Sequence, residues 1–424
     1  MRVRTVSSVT TYSAVRTTGI YCRPGCGAKP LAENVRTFEH PAAAEAAGYR
    51  ACLRCRPYRI AGTVPDAAPE LVCRAVQLII TGLLDEAGEA ALGARLGLSV
   101  RQLRRLFHEH LGATPDQFAR SRRAHFARRL LDDTDLGIAE IAFAAGFGSL
   151  RQFNRAMREV FRASPRELRE RRRRGDRLAA DGGLVLRLPF TPPCDWHAMC
   201  DFLGDRAIPG VESVEDGVYR RVVSLDGQPG MLEIGAGGDD QLLLRAHLPF
   251  WEGVIHVVDR AARLVAADRD PLSARELSAA ARVLGPLSGQ ERTNAAGPSA
   301  ASADAAALAG VRVPGAWAPF EIAVQAVLRD RLSPAEATDA LHKLVEVHGV
   351  PVPGLTHGLT HAFPGPEALT SAHLVGPLAT EVAEGNVILE PAAGLVRSLE
   401  TVTSTPAAQE IALRLEGFVG AARE

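Results

Sequence analysis

The sequence predicts a multidomain α+β protein, and three observations carry that expectation. Four of the seven cysteines fall in two close pairs within the first 55 residues. Two helix-turn-helix patterns follow, fifty residues apart, each with a glycine, a serine and an Arg-Gln pair at matching places. After residue 183, apolar and polar residues alternate as they do in antiparallel strands. The expected parts are a small cysteine-bearing domain over 1–60, an all-α double helix-turn-helix domain over 68–175, an antiparallel α+β domain over 183–284 and a partial helical domain over 305–424.

The 424 residues suffice for three or four domains, and 46% hydrophobic with 23% charged residues describe a soluble globular chain. No apolar run is long enough to span a bilayer and no signal peptide is evident, so no membrane partner is expected. Cysteine pairs that read as metal ligands fit a reducing cytoplasm. The formal net charge of zero conceals a split. Residues 1–180 carry 31 Lys and Arg against 18 Asp and Glu, and residues 181–424 carry 18 against 31. The first part suits a polyanion and the second does not.

Cys22, Cys26, Cys52 and Cys55 read C-x3-C, then 25 residues, then C-x2-C. Two close pairs a short domain apart are the ligand pattern of a tetrahedral zinc site. Two disulfides or four unrelated thiols are the other readings. By spacing alone such a site is usually structural.

The flanking residues point further. VRTTGIYCRPGC followed by GYRACLRC resembles the N-terminal domain of the Ada-type adaptive-response regulators. The resemblance implies Zn2+ on the four cysteines and a stoichiometric methyl transfer from a methylated DNA phosphate onto the first of them, here Cys22. Zinc keeps thiols ionised at neutral pH, and the thiolate is the nucleophile. Four thiolates on Zn2+ leave a charge of about −2 and methylation reduces it to about −1, so the repaired form would bind DNA better. Lys29 and Arg50 match positions where the family carries phosphate-contacting basic residues. The family usually has Arg at the first, and Lys29 makes a bidentate phosphate contact weaker there; a solvated surface charge is the other reading for both. The family also has a helix before its first strand. Only 21 residues precede Cys22 here, so the expectation is a misassigned start or a domain without that helix.

Residues 61–70, AGTVPDAAPE, read as a linker. Residues 71–174 are expected to be mostly helical, with Cys73 a buried structural thiol on the first helix. In Glu89 to Gly112, Gly97 marks a turn and Ser99 caps the next helix; in Ile138 to Phe161, Gly146 and Ser149 do the same. A long helix from Pro115 to about Leu131 separates them. Two such motifs, with FRASPRELRERRRR after them, resemble the AraC family of transcription regulators. That implies a recognition helix from each motif in a major groove of double-stranded DNA. Arg101, Gln102 and Arg105 would face bases or phosphates from the first, and Arg151, Gln152, Asn154 and Arg155 from the second. For each Arg, a backbone phosphate contact or none is the competing reading. Leu103, Leu106, Phe107, Phe153 and Met157 stand at core spacing. The run Arg171 to Arg174 touches phosphate or begins a solvated linker.

The stretch from LVLRLPF to VVSLDG, Leu184 to Gly227, and the following LLLRAHLP and GVIHVVDR are expected to form an antiparallel sheet with one helix near His197 to Leu203. Asp195-Trp196, Phe202-Leu203, Arg206-Ala207, Gly210-Val211-Glu212 and RLVAADRDP, Arg263 to Pro271, resemble the N-terminal domain of AlkA-type 3-methyladenine DNA glycosylases. Cys194 and Cys200 lack an acceptor context, and no Pro-Cys-His-Arg motif of the alkylguanine-repair half of Ada occurs. Residues 285–310 read as a low-complexity linker. Val311 to Gly349 resembles the start of the glycosylase helical domain, and the resemblance then decays. Leu328-Arg329-Asp330-Arg331 stands where that family has a Gly-Gln-Gln element, and Thr401 to Arg414 lacks the glycines of its DNA-anchoring hairpin. The catalytic Asp would come some twenty residues later, but the chain ends at Glu424; Glu416 and Glu424 are poorly placed substitutes.

The sequence thus reads as an alkylation-responsive transcriptional activator of DNA-repair genes, with Zn2+ as cofactor and promoter DNA and RNA polymerase as partners. A degenerate glycosylase region without activity completes it. A glycosylase fused to the regulator, and an AraC-type regulator with a purely structural zinc, are the alternatives.

Overall fold

A computed structural model of the chain describes residues 11–59, 68–180, 183–269 and 271, then 312, 314–318, 320–322, 324–325, 328, 333–365 and 368. These fall into two compact units. The first comprises the described residues from 11 to 191 with Phe250–Ala262 and Ala267–Arg269; the second comprises those of 192–249, 263–266 and 271–368. The linker at 285–310, residues Arg329-Asp330-Arg331, the segment Thr401 to Arg414, Glu416 and Glu424 lie outside the described residues.

The first unit opens with strands β1 (Tyr12–Val15), β2 (Ile20–Cys22) and β3 (Val35–Phe38), helix α1 (Pro41–Ala46) and strand β4 (Arg50–Ala51). The sheet order is β3-β1-β2-β4. β1 runs antiparallel to β2 and β3, while β4 runs parallel to β2. Tyr12, Ala14 and Tyr21 are buried, as are Ala42, Ala43 and Ala44 of α1. Tyr12 and Tyr21 meet edge to face with centroids 6.0 Å apart. The period of two along β1 leaves Ser13 and Val15 on the other face.

The helices α2 (Glu70–Ile80), α3 (Leu83–Glu86), α4 (Glu89–Leu96), α5 (Val100–Leu111), α6 (Pro115–Asp133), α7 (Ile138–Ala144), α8 (Leu150–Phe161) and α9 (Pro165–Glu170) follow. Each helix-turn-helix forms where its punctuation marks it. Gly97 adopts φ +67° and Gly146 φ +78°, left-handed values that suit glycine. The Ser99 hydroxyl accepts from the Gln102 backbone N–H and that of Ser149 from Gln152, one orphan donor satisfied at each helix start. Thr114 and Pro115 start α6 the same way, and the helix runs two residues beyond Leu131. Leu103, Phe107, Phe153 and Met157 are fully buried, and Leu106 packs half-buried against the core that holds Leu103 and Phe107. Cys73 is half-buried rather than buried, because Val72, Ala75 and Val76 take the inward face of α2; its thiol lies 3.4 Å from the Ala68 carbonyl. Strand β5 (Leu184–Pro189) comes next.

The second unit holds α10 (Trp196–Gly204), which covers the expected helix, and an antiparallel meander of β6 (Glu212–Glu215), β7 (Val218–Leu225), β8 (Gln228–Ala236) and β9 (Gln241–His247). GVIHVVDR is not a strand. It forms most of α11 (Val254–Leu264), whose residues to Ala262 belong to the first unit. Its buried residues Val254, Ile255, Val257, Val258, Ala261 and Leu264 follow the helical period, which short alternation in the sequence disguised. There His256 places its ring nitrogens 2.9 Å from the Ile80 carbonyl and 2.7 Å from Asp85 Oδ2. Helix α12 (Pro334–His348) and the short strands β10 (Val350–Pro351) and β11 (His361–Ala362) follow among the described residues of the second unit. In it the buried Arg221 pairs with Glu212 and with the buried Glu321. Cys194 is half-buried and Cys200 buried.

Candidate metal centre and DNA-facing helices

Sheet geometry brings the four N-terminal cysteines together. Cys22 ends β2 and Cys52 follows β4; the parallel register sets Tyr21 opposite Ala51, so the next residues emerge side by side. Cys26 follows a turn in which its N–H donates to the Arg23 carbonyl over 3.3 Å, with Gly25 left-handed at φ +71°. The Cys55 N–H points at Cys52 Sγ over 3.5 Å. All four sulfurs lie within 4.8 Å of one another. A tetrahedron of thiolates about 2.3 Å from zinc has edges of about 3.8 Å, so this donor set fits Zn2+ after a small contraction.

The charges agree. Burial pushes the Cys22 thiol up to about 12, and the Cys52 charge adds to it. The Cys55 thiol's hydrogen bond holds Cys52 down at about 4, and the same bond pushes Cys55 up. Cys22 and Cys55 are thus held protonated beside Cys52, and a bound dication is what would let them ionise.

A cavity of about 610 Å³ opens beside Cys22 and Cys26. Ser13, Val15, Val35 and Thr37 line it from the sheet, with Arg23 and Lys29 from the loop after Cys22. Cys52 and Cys55 are not among its lining residues. Lys29 thus joins the cysteine site, whereas Arg50 does not line the cavity; it lies on β4 opposite Ile20 and donates to the Ala51 carbonyl over 3.2 Å.

Behind the cysteines, the module packs on α6. Tyr21 donates to Glu45 over 2.6 Å, and His125 Nε2 of α6 lies 2.7 Å from the same carboxylate oxygen. Burial raises the Tyr21 phenol well above its ordinary value. Arg56, directly after Cys55, lies 2.6 Å from Asp176 and 3.5 Å from Asp132. The sequence reading missed this network and the cavity. The alternation of Tyr12, Ser13, Ala14 and Val15 was the available signal for the cavity floor.

The helix-turn-helix residues divide into free and engaged. Arg101, Arg105, Arg151 and Gln152 are exposed. Among the described residues the three arginines make no ion pair or hydrogen bond through their side chains. The Gln102 side-chain Oε1 accepts from the Ser99 backbone N–H over 2.9 Å. Asn154 Nδ2 donates to the Leu150 carbonyl over 2.8 Å, and Arg155 pairs with Glu159 at the same distance.

Comparison with known proteins agrees with this division of the chain. The "Metal binding domain of Ada" pattern matches residues 7–58, a "Helix-turn-helix domain" matches 92–171 and the "AlkA N-terminal domain" matches 185–318. The "Probable bifunctional transcriptional activator/DNA repair enzyme AlkA" of Mycobacterium tuberculosis is 35% identical over 375 residues, covering 87% of this chain and 72% of that one. The chain belongs to this AlkA family of bifunctional activator/repair proteins. The "Bifunctional transcriptional activator/DNA repair enzyme Ada" of Escherichia coli is 32% identical over 161 residues, 37% of this chain and 43% of that one. A solved methylated N-ADA/DNA complex is 32% identical and covers 27% of this chain and 87% of its own, at a TM-score of 0.11 that is too low to bear on the fold. In this AlkA-family chain the cofactor is Zn2+, by the four-cysteine cluster and the matched metal-binding domain. No described helix is long and apolar enough to cross a membrane.

Proposed function

We propose that the chain is an alkylation-responsive transcriptional activator of DNA-repair genes. Its four parts would be a zinc domain over 1–60, a helix-turn-helix domain over 68–175, an AlkA-N-like domain over 183–284 and a glycosylase-like remnant over 305–424. Cys22, Cys26, Cys52 and Cys55 hold zinc, and Cys22 accepts one methyl group from a DNA methylphosphotriester. The observation that carries this is the cavity, which is lined by Cys22 and Cys26 and by neither of the other two sulfurs. Zinc, when bound, keeps the sulfurs ionised at neutral pH. Cys22 then attacks the methyl carbon: an S–C bond forms, the O–CH3 bond breaks and its electron pair stays on the phosphate oxygen. The protein keeps the methyl, so each molecule reacts once. The module sheds one unit of negative charge, which favours DNA binding.

Lys29 and Arg50 contact phosphate, and Arg101, Gln102, Arg105, Arg151, Gln152, Asn154 and Arg155 form the face presented to promoter DNA. RNA polymerase is the further partner, and the cytoplasm the compartment. The test is promoter affinity before and after exposure to methylated DNA, with a reporter read in parallel. Cys22→Ala should abolish both the affinity gain and induction while some metal is retained. A gain that survives Cys22→Ala contradicts the proposal.

A second reading, base excision by the C-terminal region, is favoured by the AlkA N-terminal match over 185–318. We place it second because Thr401 to Arg414 lacks the hairpin glycines. Abasic sites formed in alkylated DNA, unaffected by Cys22→Ala, would reverse that order.

A further inference from the structure

The strand register places two hydroxyls in one row with the acceptor sulfur. Ser13 of β1 is paired with Cys22 of β2 on one side and with Thr37 of β3 on the other. Directly opposed residues of antiparallel strands share a face, with Cβ atoms about 5 Å apart. Thr37, Ser13 and Cys22 therefore form a row across the sheet, and all three line the cavity. Val15, also on that face, is opposed by Val35 and Ile20 in the next row. Ser13 is half-buried and Thr37 exposed. Neither hydroxyl makes a hydrogen bond among the described residues.

Methyl transfer sets a specific electrostatic demand on this floor. The triester is neutral and the product diester is an anion, so negative charge grows on the phosphate oxygens as the O–CH3 bond breaks. Donors aimed at those oxygens bind the transition state more tightly than the ground state and so accelerate the step. Lys29 and Arg23 supply positive charge from the loop. Short hydroxyl side chains on a strand are held by the sheet and can orient a neutral ester.

We propose that Ser13 and Thr37 contact the substrate, donating hydrogen bonds to the phosphoryl oxygens of the methyl phosphotriester while its methyl passes to Cys22. The S–C bond forms as the O–CH3 bond breaks, the leaving electron pair stays on phosphate under these donors, and no proton is transferred. This rests on Cys22 being the methyl acceptor.

The experiment compares the full-length zinc-loaded protein with Ser13→Ala, Thr37→Val and the double variant. Single-turnover methyl transfer from methylphosphotriester DNA is read by mass spectrometry of the Cys22 peptide. Alkylation of Cys22 by iodomethane, which has no phosphate to stabilise, is read in the same way. Each single variant should slow transfer from DNA by about ten- to a hundredfold, the value of a hydrogen bond to developing charge, and the double variant more. Iodomethane alkylation and zinc content should not change. Unchanged transfer from DNA overturns the proposal, as does an equal fall with both reagents, which would mark a disturbed zinc site. A parent protein that reacts with iodomethane but never with methylated DNA overturns the function proposed above, and this with it.

Discussion

Tyr58 donates to Asp132 Oδ2 over 2.9 Å, with both side chains buried and 74 positions apart in the sequence. Tyr58 lies three residues beyond Cys55, and Asp132 lies in the last turn of α6. Asp132 also faces Arg128 at 2.7 Å, Arg59 at 3.4 Å and Arg56 at 3.5 Å. The cysteine module and the helix between the two helix-turn-helix motifs thus share one buried charged cluster. Asp132→Ala strips buried guanidinium groups of their common partner and should cost about 3–5 kcal/mol. Tyr58→Phe removes one bond and should cost about 1–2 kcal/mol. Chemical denaturation of the two variants checks the order; an Asp132→Ala loss no larger than that of Tyr58→Phe would contradict it.

The acid side of this cluster gives a pH dependence. Burial pushes Asp176 up, but the Arg56 hydrogen bond, the Arg173 N–H and the Arg59 charge outweigh it and hold it below the usual carboxylate range. A depressed carboxylate stabilises the fold above its unfolded value, and that stability is lost as pH falls through the folded value. Asp176→Asn should therefore lower stability at neutral pH and flatten the loss on acidification below about pH 4. Equal slopes for variant and parent in acid-unfolding curves would assign the pH dependence elsewhere.

Metal removal should act on the N-terminal module first. Burial and the neighbouring thiols hold Cys22 and Cys55 protonated in the absence of a dication, and the module's core is a short sheet over one helix. A chelator should release about one zinc per chain and expose amides 11–59 to hydrogen exchange. The helices around Leu103 and Phe107 should keep most of their protection, since Ala42 of the module joins their apolar core but none of the cysteines does. Loss of protection in both regions together would show that they melt as one.

On the helix-turn-helix face, the free arginines should matter more than the engaged side chains. Arg101→Ala and Arg151→Ala should each weaken promoter binding by about 1–3 kcal/mol. Gln102→Ala removes a capping partner and should cost about 0.5–2 kcal/mol of stability, with a smaller binding effect. Binding measured at several salt concentrations separates base from phosphate contacts.

Local chemistry made much of this chain legible. Gly97, Ser99, Gly146 and Ser149 act on their own neighbours, so turns and caps could be read directly from sequence. The paired cysteines report a metal site through their spacing, while the acceptor role of Cys22 was implied only by the family resemblance. Contacts between distant positions were hidden, as with Tyr58 and Asp132 or the row Thr37–Ser13–Cys22, because nothing local to either partner reports the other. GVIHVVDR deceived for a related reason: seven or eight residues hold barely two helical turns, too few to separate a period of 3.6 from one of 2. The side chains expected at DNA were named from residue type and from their place on the second helix of each motif, and only the structure shows that Gln102 is engaged by the cap residue Ser99 and that Asn154 and Arg155 hold partners on their own helix.

The most direct test of the central claim is peptide mass spectrometry of the zinc-loaded protein after incubation with DNA bearing methylphosphotriesters. The account predicts one added methyl per chain, on the peptide that contains Cys22, and none on the peptide that contains Cys52 and Cys55. An unmodified Cys22 with zinc present in full would contradict it and leave the four-cysteine site a structural one.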